Sequence, residues 1–304
     1  MPRRLTAVGA ALLVLLVSLV SPANAGTPEY VALGDSYSSG TGTRTYLNDG
    51  TTCQRSIYAY PSLLASARGY ALNFRACSGA EIPDVSNLQL SALSSRTAYV
   101  TISVGGNDAG FADVLTTCAE PWWAGDCNRA IDRAQAYITD GLPGALTTLY
   151  RAIRARAPSA KVVVVGYPRL FNGTDCNSLT WFSRSEMTRL NTTADLLNAK
   201  TSSVASAAGF AFANPTARFV GHAVCDTPEW INGLSSPVWE SYHPKVAGHR
   251  YGYLPTVGPR VTGSTVTASN AVLGAARASA DRLTRQQRQY AGIDRSIEPE
   301  TFGQ

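Results

Sequence analysis

The chain has 304 residues, of which 45% are hydrophobic, and a formal net charge of +5 at pH 7. Two arginines, an apolar run from about Leu5 to Val20 and the small residues Ala23-Asn24-Ala25 predict a secretory signal peptide cleaved near Ala25. The run is shorter than the roughly 20 residues of a membrane-spanning helix, and no later segment is apolar enough over that length. Removal of residues 1–25 leaves a charge of +3, which is too small to indicate a nucleic-acid partner. We therefore expect a secreted protein without a transmembrane segment.

Short apolar segments rich in β-branched residues alternate with longer segments of helical character. The predicted strands cover residues 30–33, 99–104 and 161–166, and the predicted helices cover residues 56–68, 128–157 and 183–208. This alternation predicts an α/β fold in which helices cover both faces of a central parallel sheet. Ligands bind such sheets at the carboxyl ends of the strands, where the strand order reverses. Residues that directly follow a strand are therefore expected to form the site.

The mature length fits one domain, which we expect over residues 26–263. From about Ser264 the composition changes, and residues 271–290 are rich in alanine, arginine and glutamine. We predict a C-terminal helical extension over residues 264–304, with one helix followed by a polar, frayed end. A helix that packs on the domain or is exposed to solvent is favoured over one with a partner-binding or surface-binding role.

Six cysteines lie beyond the signal peptide, and their even number in an exported chain predicts three disulfides. A zinc site is disfavoured because no pair has C-x-x-C spacing and no histidine lies close by. The sequence alone permits 15 connectivities, of which nearest-neighbour order is the simplest. That order pairs Cys53 with Cys77, Cys118 with Cys127, and Cys176 with Cys225.

The tetrapeptide Gly34-Asp35-Ser36-Tyr37 directly follows the first predicted strand. A serine after a tight glycine turn at a strand end is well placed to act as a nucleophile. The segment does not fit the G-x-S-x-G elbow of α/β-hydrolases, because residue 38 is serine. Gly105-Gly106-Asn107-Asp108 follows the second predicted strand, so the two segments can share one crevice.

These two segments, together with Ala76-Cys77-Ser78-Gly79-Ala80 and Ser241-Tyr242-His243-Pro244, resemble the SGNH or GDSL hydrolase family in content and order. The likeness extends over about residues 27–263 and is closest to secreted lipases, esterases and phospholipases A1 of actinomycetes. It implies a three-layer α/β/α sandwich with a flavodoxin-like parallel sheet. It also implies three disulfides in nearest-neighbour order.

The resemblance implies that Ser36 is the nucleophile and that three neutral donors form the oxyanion hole. These donors are the backbone N–H groups of Ser36 and Gly79 and the side-chain amide of Asn107. Among the three histidines, His243 is the predicted base, and Pro244 is expected to begin a helix that runs to about residue 254. A packing or surface role is expected for His249, and a structural role for His222.

The orienting partner of His243 is predicted less directly. Many relatives carry an aspartate three residues before the histidine, where this chain has Glu240. Several secreted actinomycete relatives use a backbone carbonyl instead, which would be that of Ser241 here. Either group could select the tautomer that leaves Nε2 able to accept a proton. We favour the Ser241 carbonyl.

Asp35 and Asp108 near one crevice raise the alternative of a metal site. We expect them instead to accept backbone N–H groups that hold the site loops, and we predict no metal or other cofactor. Serine-based ester hydrolysis requires neither.

Trp122 and Trp123 lie between Cys118 and Cys127, in a segment that a disulfide would close. Exposed indoles on such a loop can settle at a lipid interface or line an acyl groove, although one of them could pack on the domain. The sequence therefore predicts a secreted, monomeric ester hydrolase that acts on acylglycerols or phospholipids. A carbohydrate acetyl esterase and a non-catalytic secreted binding protein of the same fold are the alternatives.

Overall fold

The structure, a computed structural model, describes residues 1–2, 26–299 and 302. The predicted signal peptide therefore lies outside the described residues, apart from its first two. The strands are β1 Glu29–Gly34, β2 Ala71–Phe74, β3 Thr97–Ser103, β4 Lys161–Val165 and β5 Ala211–Ala213. The α-helices are α1 Ser36–Ser39, α2 Tyr60–Arg68, α3 Ile82–Asp84, α4 Phe111–Ala119, α5 Cys127–Asp140, α6 Leu142–Arg156, α7 Arg184–Ala207, α8 Leu254–Thr262, α9 Asn270–Ala278, α10 Ala280–Arg288 and α11 Ala291–Asp294.

All strand pairs are parallel, and the strand order is β2-β1-β3-β4-β5. The helices α2, α8 and α10 contact the sheet on one side, while α7 contacts β4 and β5 and packs against α5 and α6. This is the predicted three-layer sandwich with a flavodoxin-like strand order, so that prediction is confirmed. The strand order reverses between β1 and β3, so a crevice is expected at the carboxyl ends of these two strands.

The predicted strands agree with β1, β3 and β4, but the sequence did not indicate β2 or β5. The segment Ala71–Phe74 contains no β-branched residue, and β5 has only three residues. Neither is long enough for an alternating pattern to be recognised. Both gain their pairing from the neighbouring strand rather than from their own propensity.

Besides α2, which begins at Tyr60 rather than at residue 56, three predicted helices have different limits in the structure. Residues 128–157 form two helices, because the first ends before Gly141 and the second begins at Leu142, with Pro143 in its first turn. Pro244 forms an isolated bridge with Ile231 instead of beginning a helix, so that prediction was wrong. The following helical segment includes a π-helical stretch and continues through α8 to Thr262, where the left-handed Gly263 ends it. The third, the predicted extension helix, is divided into α9 and α10 at Ser279.

Three disulfides join Cys53 to Cys77, Cys118 to Cys127, and Cys176 to Cys225. The predicted number and pairing agree with the structure. The first bridge lies two residues before Gly79, the second closes the loop that carries Trp122 and Trp123, and the third lies in the segment after β4. Each bridge therefore ties down a loop rather than two elements of the sheet.

The extension packs on the domain near the edge strand β2, because α9 contacts α2 and α10 contacts β2. At the end of α11, the chain is held by a buried ion cluster. The carboxylate of Asp294 contacts Arg55 and Arg75 at 2.6 Å each, and Arg55 also contacts Asp49 at 2.7 Å. The predicted frayed end is not observed at Ile297 and Phe302, which are 1% and 5% exposed.

Within the described part of the chain, no helix has both the length and the apolar character that a membrane span needs.

Candidate active site

Ser36 is the first residue of α1 and lies at the end of β1, two residues after a constrained glycine. Gly34 has φ +114°, and a Cβ atom there would lie 2.0 Å from the carbonyl oxygen of Ser103. Its N–H and carbonyl are both held by the side-chain amide of Gln89, at 2.7 and 2.9 Å. The turn therefore requires glycine and has little freedom. It delivers Ser36, which is 2% exposed, to the carboxyl edge of the sheet.

Asp35 fixes the same turn from within the protein. Its Oδ1 accepts the N–H of Tyr37 at 3.0 Å and the hydroxyl of Ser103 at 2.7 Å, and its Oδ2 accepts the hydroxyl of Tyr167. Burial, followed by the nearby charge of Asp35, raises the pKa of Tyr167 well above its ordinary value. Tyr167 is therefore a neutral donor at any physiological pH, and Asp35 has the structural environment that the sequence led us to expect.

The segments that carry Gly79 and Asn107 are joined by hydrogen bonds. Gly79 has φ +83°, and the Nδ2 of Asn107 donates to the carbonyl of Ala80 at 3.1 Å. The carboxylate of Asp108 accepts the N–H of Ile82 at 3.1 and 3.2 Å. Burial raises the pKa of Asp108 to about 7, although the hydrogen bond from Ile82 opposes the shift. These contacts fix the amide of Asn107 relative to the loop of Gly79.

His243 is 1% exposed, and its Nδ1 lies 2.9 Å from the carbonyl oxygen of Ser241. Because a carbonyl only accepts, Nδ1 carries the proton, and Nε2 of the neutral ring is an acceptor. The intervening Tyr242 has φ +61°, a left-handed conformation that is costly for a bulky residue. Its carbonyl accepts the hydroxyl of Tyr37 at 2.8 Å, and the ring of Tyr37 lies 5.3 Å from that of His243. The histidine is thus tied to the helix that begins at Ser36.

The structure does not bring the carboxylate of Glu240 to Nδ1 of His243. Glu240 is buried, and its Oε1 accepts the hydroxyl of Tyr46 at 2.7 Å. Its Oε2 pairs with the Nε of Arg44 at 2.9 Å. Both carboxylate oxygens are therefore engaged on the side of the residue 44–46 loop.

The two other histidines lie away from this arrangement. His249 is fully buried and accepts the N–H of Tyr60 at 3.3 Å, and burial lowers its pKa to about 3, with a smaller effect from His243. The ring of His222 stacks on that of Trp230 at 3.6 Å. His249 has the packing environment expected from the sequence, and its burial keeps it neutral.

A narrow cavity of about 20 Å³ opens beside Ser36 and Asn107, which is room for about one water molecule. Its other walls are mainly apolar side chains from α4, α7 and the segment after β4, including Phe111, Leu170, Ala194 and Leu197. A second, apolar groove of about 250 Å³ is lined in part by residues of α4. We call it the α4 groove, and it is lined by Leu115, Thr116, Ala119, Glu120, Pro121, Leu179, Trp181, Leu234, Val238, Tyr242 and Phe302.

Several large apolar side chains at and near the α4 groove face solvent. Trp122 and Trp123 are 85% and 70% exposed, so neither packs on the domain. Leu179 and Trp181, which line the groove, are 69% and 50% exposed. Large apolar side chains that are exposed close together are typical of an interaction site.

Comparison with known proteins identifies the family of this site. The profile of the GDSL-like lipase/acylhydrolase family matches residues 32–251. Lipase 1 of Streptomyces coelicolor is 45% identical over 231 residues, which are 75% of this chain and 85% of that protein. The chain belongs to the GDSL-like lipase/acylhydrolase family. It is accordingly a carboxylic-ester hydrolase, as the sequence predicted.

Two solved structures of this kind are similar over most of the chain. The extracellular lipase of Streptomyces rimosus is 42% identical with a TM-score of 0.72, and the match covers 77% of this chain and 100% of that structure. Phospholipase A1 of Streptomyces albidoflavus is 43% identical with a TM-score of 0.71, and the match covers 77% of this chain and 99% of that structure. The predicted likeness to secreted lipases and phospholipases A1 of actinomycetes is confirmed.

Within this GDSL-type site, sequence reasoning missed the residues that hold the predicted ones. Gln89, Ser103 and Tyr167 are buried, and each binds the turn around Ser36. None belongs to a recognisable motif, and each is distant in sequence from the residue it holds. Phe302, whose ring centre lies 6.0 Å from that of His243, was missed because residues 296–304 were expected to be frayed.

Among the described residues, one group of three potential metal ligands lies close together, namely Cys176, Cys225 and Glu229. The two sulfur atoms are joined in a disulfide, so they are not thiolate ligands. The carboxylates of Asp35 and Asp108 accept hydrogen bonds from protein groups, as described above.

Proposed function

We propose that this protein is a secreted serine hydrolase that cleaves acylglycerol or phospholipid esters through an acyl-enzyme on Ser36. The Oγ of Ser36 attacks the ester carbonyl while Nε2 of His243 takes its proton. The tetrahedral intermediate then collapses, the C–O bond breaks, and the leaving alcohol takes the proton from His243. A water molecule, deprotonated by the same Nε2, hydrolyses the acyl-enzyme and releases the carboxylic acid.

The hydrogen bond between Nδ1 of His243 and the carbonyl of Ser241 carries this proposal. It is the contact that a general base needs, because it fixes the tautomer and the ring orientation with Nε2 as the acceptor. We infer that the Ser241 carbonyl is the main orienting group and that Glu240 supports the neighbouring loop through Arg44 and Tyr46.

We further infer that the backbone N–H groups of Ser36 and Gly79 and the Nδ2 group of Asn107 stabilise the oxyanion. Ser36 begins a helix, so its N–H is not used by the helical ladder. Asn107 uses one Nδ2 hydrogen on Ala80, which leaves the other for substrate. Donors held in this way need little reorganisation when the negative charge develops.

A lipid ester is the substrate class that the surface near the site supports best. The α4 groove is mainly apolar, and exposed tryptophans lie beside it. Tryptophan is favoured at the boundary between water and hydrocarbon. The similarity to a lipase and a phospholipase A1 points the same way.

The decisive experiment compares hydrolysis of a phospholipid and a triacylglycerol by the purified enzyme, with product analysis. The Ser36→Ala variant is the matched control and should lose essentially all turnover. We expect release of fatty acid and faster hydrolysis of longer-chain than of acetyl p-nitrophenyl esters. Hydrolysis of acetyl esters alone would favour a carbohydrate esterase. Failure of a fluorophosphonate to label Ser36 in the folded protein would favour a binding protein.

We also propose that residues 1–25 are removed on export, that residues 26–263 form the hydrolase domain and that the mature protein is a monomer. Three disulfides are consistent with an oxidising compartment outside the cell. Amino-terminal sequencing of protein from the culture medium should begin at or near Gly26. An intact leader on the exported protein would contradict this proposal.

A further inference from the structure

Four large apolar side chains, carried by two segments, form an exposed patch. Trp122 and Trp123 lie on one loop, and Leu179 and Trp181 lie on the segment before α7. Their exposed fractions range from 50% to 85%. The backbone N–H of Trp181 donates to the carbonyl of Ala119 at 3.1 Å, which joins the two segments. We call these four residues the tryptophan surface.

Both segments are braced from within, so the exposed side chains stand on a fixed backbone. The disulfide between Cys118 and Cys127 closes the first loop. In the second segment, the carboxylate of Asp175 accepts the hydroxyl of Thr180 at 2.7 Å and the N–H of Phe182 at 3.0 Å. A backbone held in this way loses little conformational freedom when a partner binds.

The charges around the tryptophan surface do not favour an anionic partner. Residues 118–127 contain two carboxylates and no lysine or arginine, and residues 176–183 contain no charged residue. The cations nearest along the chain are Arg129, whose Nε pairs with Asp126 at 3.3 Å, and Arg184. Indole faces recognise quaternary ammonium groups, and nearby carboxylates add to that attraction. The chemistry of this patch therefore fits a zwitterionic head group that presents a quaternary ammonium.

Helix α4 links the tryptophan surface to the predicted catalytic residues. Phe111 begins this helix and lines the cavity beside Ser36. Ala119 ends the helix and lines the α4 groove together with Leu179 and Trp181. At a rise of 1.5 Å per residue, the two ends of α4 are about 12 Å apart. One leaflet of a bilayer has a hydrocarbon thickness of about 15 Å, so a single lipid molecule has the length to reach from this surface to the cavity.

We propose that the tryptophan surface docks the enzyme on a layer of phosphatidylcholine, a zwitterionic phospholipid whose head group carries a quaternary ammonium. This inference rests on the proposed function, because it names the lipid surface that brings substrate to Ser36. Indoles settle at the level of the head groups, and the strength of adsorption increases with the apolar area that is buried. Because no excess of positive charge surrounds the patch, binding depends on this burial and changes little with salt.

The test measures binding of the Ser36→Ala protein, which leaves the lipid intact, to phosphatidylcholine vesicles that are then sedimented. Combining Trp122→Ala with Trp123→Ala should weaken binding about tenfold or more, because two large apolar side chains no longer enter the lipid. Tyr251→Ala is the matched control, since Tyr251 is an aromatic residue that is 47% exposed outside the tryptophan surface, and it should leave binding unchanged. Equal binding by the double variant and its parent would overturn the docking surface. Binding by the parent to phosphatidylglycerol vesicles alone would also overturn it.

The same two substitutions in the active enzyme separate docking from catalysis. Hydrolysis of phosphatidylcholine vesicles should fall about tenfold or more, and hydrolysis of dissolved p-nitrophenyl butyrate should fall far less. An equal loss on both substrates, at an unchanged melting temperature, would overturn the docking surface, because the indoles would then serve the site itself. Absence of any ester hydrolysis by the parent, with vesicle binding that still depends on the two tryptophans, would instead overturn the proposed function and leave the docking surface in place.

Discussion

Replacing Glu240 with alanine separates the two ways in which His243 could be oriented. The carboxylate of Glu240 accepts the hydroxyl of Tyr46 at 2.7 Å and pairs with Arg44 at 2.9 Å. The Arg44 side chain is 59% exposed, so its charge can return to water when the partner is removed. We expect a loss of about 1 to 2 kcal/mol in the free energy of unfolding, from the unsatisfied hydroxyl and the lost hydrogen bond. Turnover should fall by less than about tenfold, because the Nδ1 contact with Ser241 remains.

The assay is kcat for a p-nitrophenyl ester at saturating substrate, with the melting temperature measured on the same samples. Glu240→Gln is the control, since it removes the charge and keeps an acceptor for Tyr46. Loss of an orienting carboxylate in a serine-histidine site lowers kcat by about 10⁴. A loss of that size in a folded Glu240→Ala enzyme would refute the assignment to the Ser241 carbonyl.

Three further changes test other parts of the structure. Asn107→Ala should lower kcat by about 10²–10³ with little change in KM, because the amide of Asn107 acts on the developing oxyanion. An equal effect on kcat and KM would contradict that role. Asp294→Asn should lower the free energy of unfolding by about 3 to 5 kcal/mol in urea titrations, because it removes the buried negative charge that Arg55 and Arg75 share and leaves Arg55 with Asp49 alone. Burial lowers the pKa of His249 to about 3, from an ordinary value of 6.5. As the pH falls below about 6.5, this histidine is protonated in the unfolded chain before it is protonated in the folded protein, so stability falls. His249→Gln should therefore flatten the decline in melting temperature between pH 6.5 and 4, and an unchanged slope would argue against a buried neutral ring.

The central fold was predictable because three strands carry strong local signals. The segments that became β1, β3 and β4 are apolar and rich in β-branched residues, and glycine motifs follow the first two. The edge strand β5 has three residues and no such signal, so only its pairing with β4 defines it. The helix after His243 was predicted to end at about residue 254, whereas α8 continues to Thr262 and ends at the left-handed Gly263.

The predicted residues of the site follow motifs, whereas the residues that hold them do not. Ser36, Asn107 and His243 each lie in a short pattern whose chemistry can be read locally. Gln89 reaches the turn at Gly34 from 55 residues away, and no spacing rule predicts that contact. Phe302 is a stronger example. Its ring lies near those of Tyr242 and His243, although the sequence alone indicated a frayed end at residues 296–304.

The surroundings of His243 suggest how a site can work without a carboxylate at Nδ1. A carbonyl dipole stabilises the imidazolium less than a full negative charge does, so its geometry matters more. The left-handed backbone of Tyr242 aims the Ser241 carbonyl at Nδ1, and the N–H of Tyr242 donates to the carbonyl of Asn232 at 3.0 Å. The negative charge nearest in sequence, on Glu240, is paired with Arg44 and held away from the ring. Backbone strain at Tyr242 is therefore part of the proposed catalytic apparatus, because relaxing it would rotate the carbonyl away from the base.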